Sequence, residues 1–233
     1  MLEQFRFDNP VFPDPNTATK EGLLAVGGSL SPDWLLEAYS KGIFPWFSEG
    51  DPILWWSPDP RSVIFLPHNR MPKSMRPYFN QKKFELKIDY AFEEVIELCS
   101  QVPRKGQDGT WITQEMKQAY IKLHHLGYAH SFEAWKDGKL AGGLYGIGMN
   151  GYFCGESMFA LEKNASKFAF FAMIKILSGN GFELLDCQIQ NPHLQMLGCK
   201  EIPRKEFLEK IEHLNNNKKI ITGNWSEKLI RTV

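Results

Sequence analysis

Two short runs in this chain bring together side chains of the kind that move protons and orient nucleophiles: Cys154-Gly155-Glu156-Ser157-Met158 and Asp186-Cys187-Gln188-Ile189-Gln190-Asn191. Each falls in or at the end of a predicted strand. Side chains two residues apart on a strand share a face, so Asp186 and Gln188 are expected to point one way and Cys187 the other. A carboxylate and an amide placed side by side can hydrogen-bond each other, which leaves the amide oxygen aimed at a third group. If that group is an amine attacking an ester, the pair positions it and takes up its proton density in the transition state. The same residues have a plainer use: Asp186 can cap the helix that follows, and Gln188 can satisfy a sheet edge.

Other kinds of chemistry find little support. The histidines at 68, 124, 125, 130, 193 and 213 show no HExxH or paired Cys/His spacing, so no metal site is expected. There is no GxSxG elbow, no P-loop and no GxGxxG before a helix. Cys154 and Cys187 sit inside predicted strands, where a cysteine is usually a small buried apolar residue. Aromatic residues give a third signal. Trp46, Trp111 and the pair Trp55-Trp56 lie in loop-like contexts bounded by Gly, Pro or Thr, where a flat ring can stack on a base, although most tryptophans serve core packing.

Several elements must position these residues. Near the N-terminus, Ser31 as N-cap and Pro32 at the first helical position open a helix that ends at Gly42. The stretch after it, rich in Pro and Trp, reads as loop and short strand, and the Pro- and Arg-containing residues 67–77 suggest a connection to a second unit. From residue 84 the pattern predicts a strand (FELKID), a helix over 90–102, and a helix capped by Thr113 that runs to Gly127. Three antiparallel strands should follow, joined by type I′ turns at Asp137-Gly138 and Asn150-Gly151. Then come a helix from about 166 to 178, a buried strand FELLDCQ and a short helix after Asn191. This order is similar to the acyltransferase fold of the GNAT group, a mixed sheet opened between two central strands. The expected fold class is α+β: a small N-terminal domain over residues 1–62 and a GNAT-like acyltransferase domain over 63–233, with a mixed, mostly antiparallel sheet.

Composition is that of an ordinary globular chain, with 233 residues, 43% hydrophobic and 23% charged. The most apolar stretch, residues 168–177, is interrupted by Lys175 and far short of the ~20 residues a membrane span needs. The opening MLEQFRFDNP lacks a basic region followed by an apolar one, and four cysteines without a CxxC pair are sparse for a disulfide framework; a cytoplasmic location is expected. With 27 basic and 27 acidic side chains the formal net charge is zero, which by itself argues against a nucleic-acid partner. The sum hides segregation. Residues 1–60 carry 3 basic and 9 acidic side chains, whereas residues 61–83 carry 6 basic (Arg61, Arg70, Lys73, Arg76, Lys82, Lys83) and no acidic ones. Such a tract can contact phosphates, or it can be a solvated linker.

Taken together, the strings in residues 21–61 (from EGLLAVGG to WWSPDPR), then GTWIT at 109–113, HSFEAW, GGLYG, CGESMF, NAS, DCQ with Asn191, LG and EIPR strongly resemble the leucyl/phenylalanyl-tRNA–protein transferase family. The resemblance implies transfer of Leu, Phe or Met from aminoacyl-tRNA to the N-terminal Arg or Lys of a protein, which marks it for N-end rule degradation. It also implies that no metal or coenzyme takes part. Carried onto this chain, Asp186 and Gln188 match the pair that activates the α-amine, and Glu156 and Asn191 match polar positions of the active site. Trp46 and Trp111 match the aromatics that hold the 3′-terminal adenosine, and Tyr39 and Tyr120 match tyrosines near it. Met158 and Leu144 fall where the apolar pocket for the amino-acid side chain is lined; the Leu144 position is often Met in the family. Arg70, Lys73, Arg76, Lys82 and Lys83 are the expected tRNA contacts, and the protein is expected to act as a monomer without a membrane partner. Two rivals remain: an acetyltransferase using acetyl-CoA, disfavoured by the absence of Gly from FALEKNASKFAF, and a tRNA-binding module without catalysis.

Overall fold

The computed structural model describes residues 10–102 and 111–229 in full, together with the backbone of Glu3–Gln4. Gly109 and Thr110 of the GTWIT string lie outside the described residues.

The N-terminal part is built on a four-stranded sheet in the order β1-β2-β4-β3, formed by Glu3–Gln4 (β1), Leu23–Val26 (β2), Leu54–Trp56 (β4) and Phe44–Pro45 (β3). Helix α1 (Pro32–Ser40) precedes β3. Its Pro sits in the first turn, as expected, and Gly42 beyond its end takes φ +70°, where a Cβ would lie 2.6 Å from the Phe207 ring. The core of this unit is aromatic: Trp55 is fully buried, its Nε1–H donates to Gly27 O at 2.8 Å, and its ring meets Phe12 edge-on.

The larger part is a seven-stranded sheet in the order β11-β5-β10-β9-β8-β7-β6. Its strands are Arg61–Phe65 (β5), Glu85–Ile88 (β6), Ala129–Lys136 (β7), Lys139–Gly148 (β8), Tyr152–Ala160 (β9), Leu184–Asp186 (β10) and Lys200–Ile202 (β11). Only the β10–β9 pair is parallel. The expected boundary after residue 62 falls inside β5, whose residues all lie in this larger sheet.

Alternation sorts the strand side chains onto two cores. Val63, Leu184, Tyr152, Cys154 and Tyr145 join the core shared with α3 (Phe92–Ser100), α4 (Gln114–His125) and the N-terminal unit. Ile64, Leu185, Phe153, Leu144 and Phe132 join the core under α5 (Ala165–Gly179). The α4 cap forms as expected, with Thr113 Oγ1 accepting from Met116 N at 3.2 Å. Asp137 and Gly138 both take positive φ, 50° and 75°, as a type I′ turn requires. The second hairpin differs. Only Gly151 of Asn150-Gly151 has positive φ, and β8 and β9 are joined by a three-residue loop in which Gly151 N donates to Met149 O at 2.8 Å.

The two parts are tied by long-range bonds. Tyr152 Oη donates to Tyr39 O at 3.1 Å, and Arg204, opening α7 (Arg204–Asn217), donates to Ser57 O at 2.6 Å. A short helix α6 (Pro192–Met196) follows the DCQ string, and α8 (Trp225–Lys228) closes on the far end of the sheet; α2 (Arg76–Asn80) precedes β6. No helix among the described residues is long and apolar enough to cross a membrane.

Candidate active site

Strands β9 and β10 run in register as far as Cys154 opposite Asp186, where β10 stops while β9 continues to Ala160. The gap so opened holds a cavity of about 830 Å³. Gly155–Met158 form one wall, residues 187–194 another, Phe170 and Met173 of α5 the floor, and Phe44, Trp46 and Trp111 the aromatic rim.

Glu156 owes its direction to a β-bulge. Tyr145 pairs with Ser157 and Gly146 with Gly155, which leaves Glu156 as the extra residue on β9. In an unbroken strand Glu156 and Met158 would share a face. The bulge instead turns Met158 opposite Leu144, beside the α5 core, while Glu156 stays on the face toward α1 and α4. There Tyr39 Oη donates to Glu156 Oε1 at 2.8 Å and Tyr120 Oη to Oε2 at 3.1 Å, and the two phenols lie 2.5 Å apart. Burial raises the Glu156 carboxyl to about 7 although both tyrosines hold it down by donating to it. Burial likewise pushes both phenols above their usual range.

The expected side-chain pair of Asp186 with Gln188 does not form. The strand ends at Asp186, and Gln188 takes φ +57°, the left-handed region, so the two-residue alternation does not reach it. Gln188 Nε2 donates instead to Glu156 Oε1 at 3.1 Å. Asp186 is 1% exposed and does not border the cavity. Its Oδ1 accepts from Arg61 Nε at 2.8 Å and from the backbone N–H of Gln188 at 3.0 Å, and its Oδ2 accepts from Arg61 Nη2 at 2.6 Å. Arg61, counted with the basic tract from sequence, is thus a buried ion-pair partner and no surface cation.

Five of the remaining candidates meet at the cavity. Trp46, Trp111, Leu144, Met158 and Asn191 all line it, while Tyr39 and Tyr120 stand behind Glu156 and form no part of its wall. Asn191 also caps α6, its Oδ1 accepting from Leu194 N at 2.9 Å. Trp55 is core, and Trp56 supports Trp46 by donating to its carbonyl at 2.7 Å. Arg70, Lys73, Arg76, Lys82 and Lys83 are exposed and away from this cavity. Arg70 borders a separate cleft of about 380 Å³ with Lys200 and Phe171. Cys154 is buried, and burial pushes its thiol well above the ordinary range, as suits a packing residue. Among the described residues no group of three or more His, Cys, Asp or Glu side chains is placed to hold a metal.

The larger, mostly antiparallel sheet splits beside the half-buried Glu156 carboxyl, with two tyrosines behind it and an amide in front, which makes this an α+β protein with a carboxyl of raised pKa at an apolar, aromatic-rimmed cavity. The comparisons with known proteins are specific. The model of the leucyl/phenylalanyl-tRNA protein transferase family matches residues 63–212, and that of the family's N-terminal domain matches residues 28–59. The chain is 54% identical over 207 residues to the leucyl/phenylalanyl-tRNA–protein transferase of Christiangramia forsetii, covering 87% of this chain and 98% of that one. The corresponding proteins of Desulfatibacillum aliphaticivorans (49%, covering 92% of each chain) and Flavobacterium johnsoniae (51%, covering 88% and 96%) are similar. This chain belongs to the leucyl/phenylalanyl-tRNA–protein transferase family.

Proposed function

We propose that this protein transfers Leu, Phe or Met from aminoacyl-tRNA to the N-terminal Arg or Lys of acceptor proteins, and that Glu156 takes the proton from the attacking α-amine. One observation carries the assignment: among the described residues Glu156 is the single carboxylate on the cavity wall, with its acidity set near neutrality. An aminoacyl ester is already activated, so the enzyme needs chiefly to align a neutral amine with the carbonyl. Attack forms the C–N bond, Glu156 accepts the N–H proton, and the proton returns to the ribose oxygen as the C–O bond breaks. The products are a peptide bond and a free tRNA hydroxyl, with no covalent enzyme intermediate. Gln188, donating to Glu156, borders the amine's approach.

In this reading Trp46 and Trp111 stack on the terminal adenosine, and Leu144 and Met158 receive the amino-acid side chain, with Phe170 and Met173 beneath them. An unbranched or γ-branched side chain fits such a pocket, while Ile or Val crowds it at Cβ. Tyr39 and Tyr120 fix the carboxylate, Asn191 fixes the turn beside it, and the five exposed cations from Arg70 to Lys83 meet tRNA phosphates. The opening between β9 and β10 supports the GNAT-like layout, with the small and large units dividing near residue 60. The protein works as a cytoplasmic monomer, within N-end rule degradation. Purified protein mixed with radiolabelled leucyl-tRNA and peptides beginning with Arg, Lys or Ala tests the reading. Label is expected in the Arg and Lys peptides only, and equal transfer to the Ala peptide would refute the specificity.

A further inference from the structure

The cavity holds no reason for Arg61, which lies behind it and touches neither proposed substrate. Yet Arg61 is among the most enclosed charges in the molecule, at 1% exposure, and its guanidinium sits 4.9 Å from the ring centre of Phe44 and 4.5 Å from that of Phe207. A buried ion pair is a weak source of stability, since desolvation offsets most of the attraction. What this pair does do is hold one carboxylate in one orientation. Asp186 Oδ1 then accepts the N–H of the residue two positions on, closing a side-chain turn around Cys187. Ser62, next to Arg61, completes the frame: Cys187 N donates to Ser62 O at 2.8 Å, and Ser62 N donates to Gln188 O at 3.0 Å. Gln188 is thereby kept at φ +57°, a conformation that costs a non-glycine residue about 1 kcal/mol or more, and its side chain reaches Glu156.

We propose that Arg61 is a positioning residue for the transfer reaction: it locks Asp186, and the locked carboxylate holds Gln188 in the left-handed turn that delivers its amide to Glu156. The proposal rests on the reading of Glu156 and Gln188 as the groups that meet the amine. Asp186 is then an anchor, and its charge is answered by Arg61 before it reaches the cavity. Lysine cannot replace Arg61 here, because it offers neither the planar fork nor the stack between two rings. The titratable groups that face Glu156 are Tyr39, Tyr120, Asp186, Arg61 and the Cys154 thiol, and of these Asp186 and Arg61 act on it with opposite sign: the Asp186 charge raises its pKa and Arg61 lowers it.

The decisive variant is Arg61→Met with Asp186→Leu, which removes both charges together. Replacing a whole buried pair by apolar groups is often neutral or stabilising, and here the bond from the Gln188 N–H is lost along with the pair. The positioning role therefore predicts a cooperative melt near that of the wild type, a KM for leucyl-tRNA within about threefold and a kcat down about 100-fold from misplacement of Gln188. A stable double variant with wild-type kcat would overturn the proposal. Arg61→Lys is the second variant, expected to lose about 10–100-fold in kcat with little change in KM. If the double variant does not fold, Arg61→Lys with wild-type kcat would equally overturn it. The acid limb of the rate profile separates this role from general loosening. It should move to higher pH in Arg61→Met and to lower pH in Asp186→Asn, and a shift of both in one direction would count against the proposal. Failure of the underlying reading looks different: Glu156→Gln would then keep wild-type transfer, whatever Arg61 does.

Discussion

Glu156→Gln is the sharpest test of the site, because it can be read from stability before any assay of transfer. Burial lifts this carboxyl from its ordinary 4.5 to about 7, so between those values the folded chain holds a proton that the unfolded chain has released. A group raised in this way favours the folded state fully below its unfolded pKa, and the benefit is lost as pH climbs through the folded one. At about 1.4 kcal/mol per pH unit the loss reaches about 3 kcal/mol by pH 8, an upper value because one side of the carboxyl faces the cavity, where water screens it. The glutamine amide keeps an oxygen for Tyr39 and Gln188, and its NH2 faces Tyr120 Oη, which can accept; it carries no charge to bury. Urea unfolding of both proteins at pH 5 and pH 8 should show the variant gaining up to about 2.5 kcal/mol on the wild type between the two conditions, part of the loss being already taken at pH 5. Parallel pH dependence of the two proteins would refute the raised acidity and with it the argument for Glu156 as proton acceptor. At pH 8 the same variant should transfer leucine about 10²–10⁴-fold more slowly.

Other consequences follow from the cavity rim, the basic segment and the far end of the sheet. Trp46→Ala or Trp111→Ala should raise KM for an aminoacyl-adenosine donor by about 10–100-fold, the worth of one base–aromatic stack, with kcat largely kept in steady-state kinetics. Replacing Arg70, Lys73 and Arg76 by Ala should reduce the slope of log affinity for aminoacyl-tRNA against log salt by up to about 2–3, measured by filter binding, and leave an aminoacyl-adenosine donor unaffected. Asp89, at φ +54°, accepts from Ser131 N at 3.0 Å, His130 Nδ1 at 2.9 Å and Trp225 N at 2.8 Å. Asp89→Ala strands these buried donors and should cost about 3–5 kcal/mol in urea unfolding, with loss of the Trp225 stack on His130 seen as a change in tryptophan fluorescence.

Much of this molecule was legible along the chain, for a local reason. The cap at Thr113, a proline opening α1, the Asp137-Gly138 turn and the alternation of β7 to β9 are all short-range preferences, decided by a residue and its near neighbours, whereas Ser31, read as the cap of α1, stands at that position with no side-chain cap bond. The candidate residues of the cavity were legible too, because their strings mark the family, although Asp186, Tyr39 and Tyr120 proved to stand behind the wall. Their partners were not. Asp186 and Arg61 are separated by 125 positions, and Tyr39 and Glu156 by 117. No composition or spacing rule reaches across such intervals, so Arg61 read as one more cation in a basic tract. The bulge at Glu156 and the left-handed Gln188 were equally hidden: neither residue type asks for that backbone, and each depends on partners far along the chain, Tyr145 and Gly146 for the bulge, and Ser62 and the Arg61-locked Asp186 for the turn. The sequence by itself determined which elements form and which side chains are candidates for the chemistry. Tertiary structure decided which carboxylate faces the cavity and which is neutralised behind it, because a buried charge takes its character from groups that only the finished fold brings within reach.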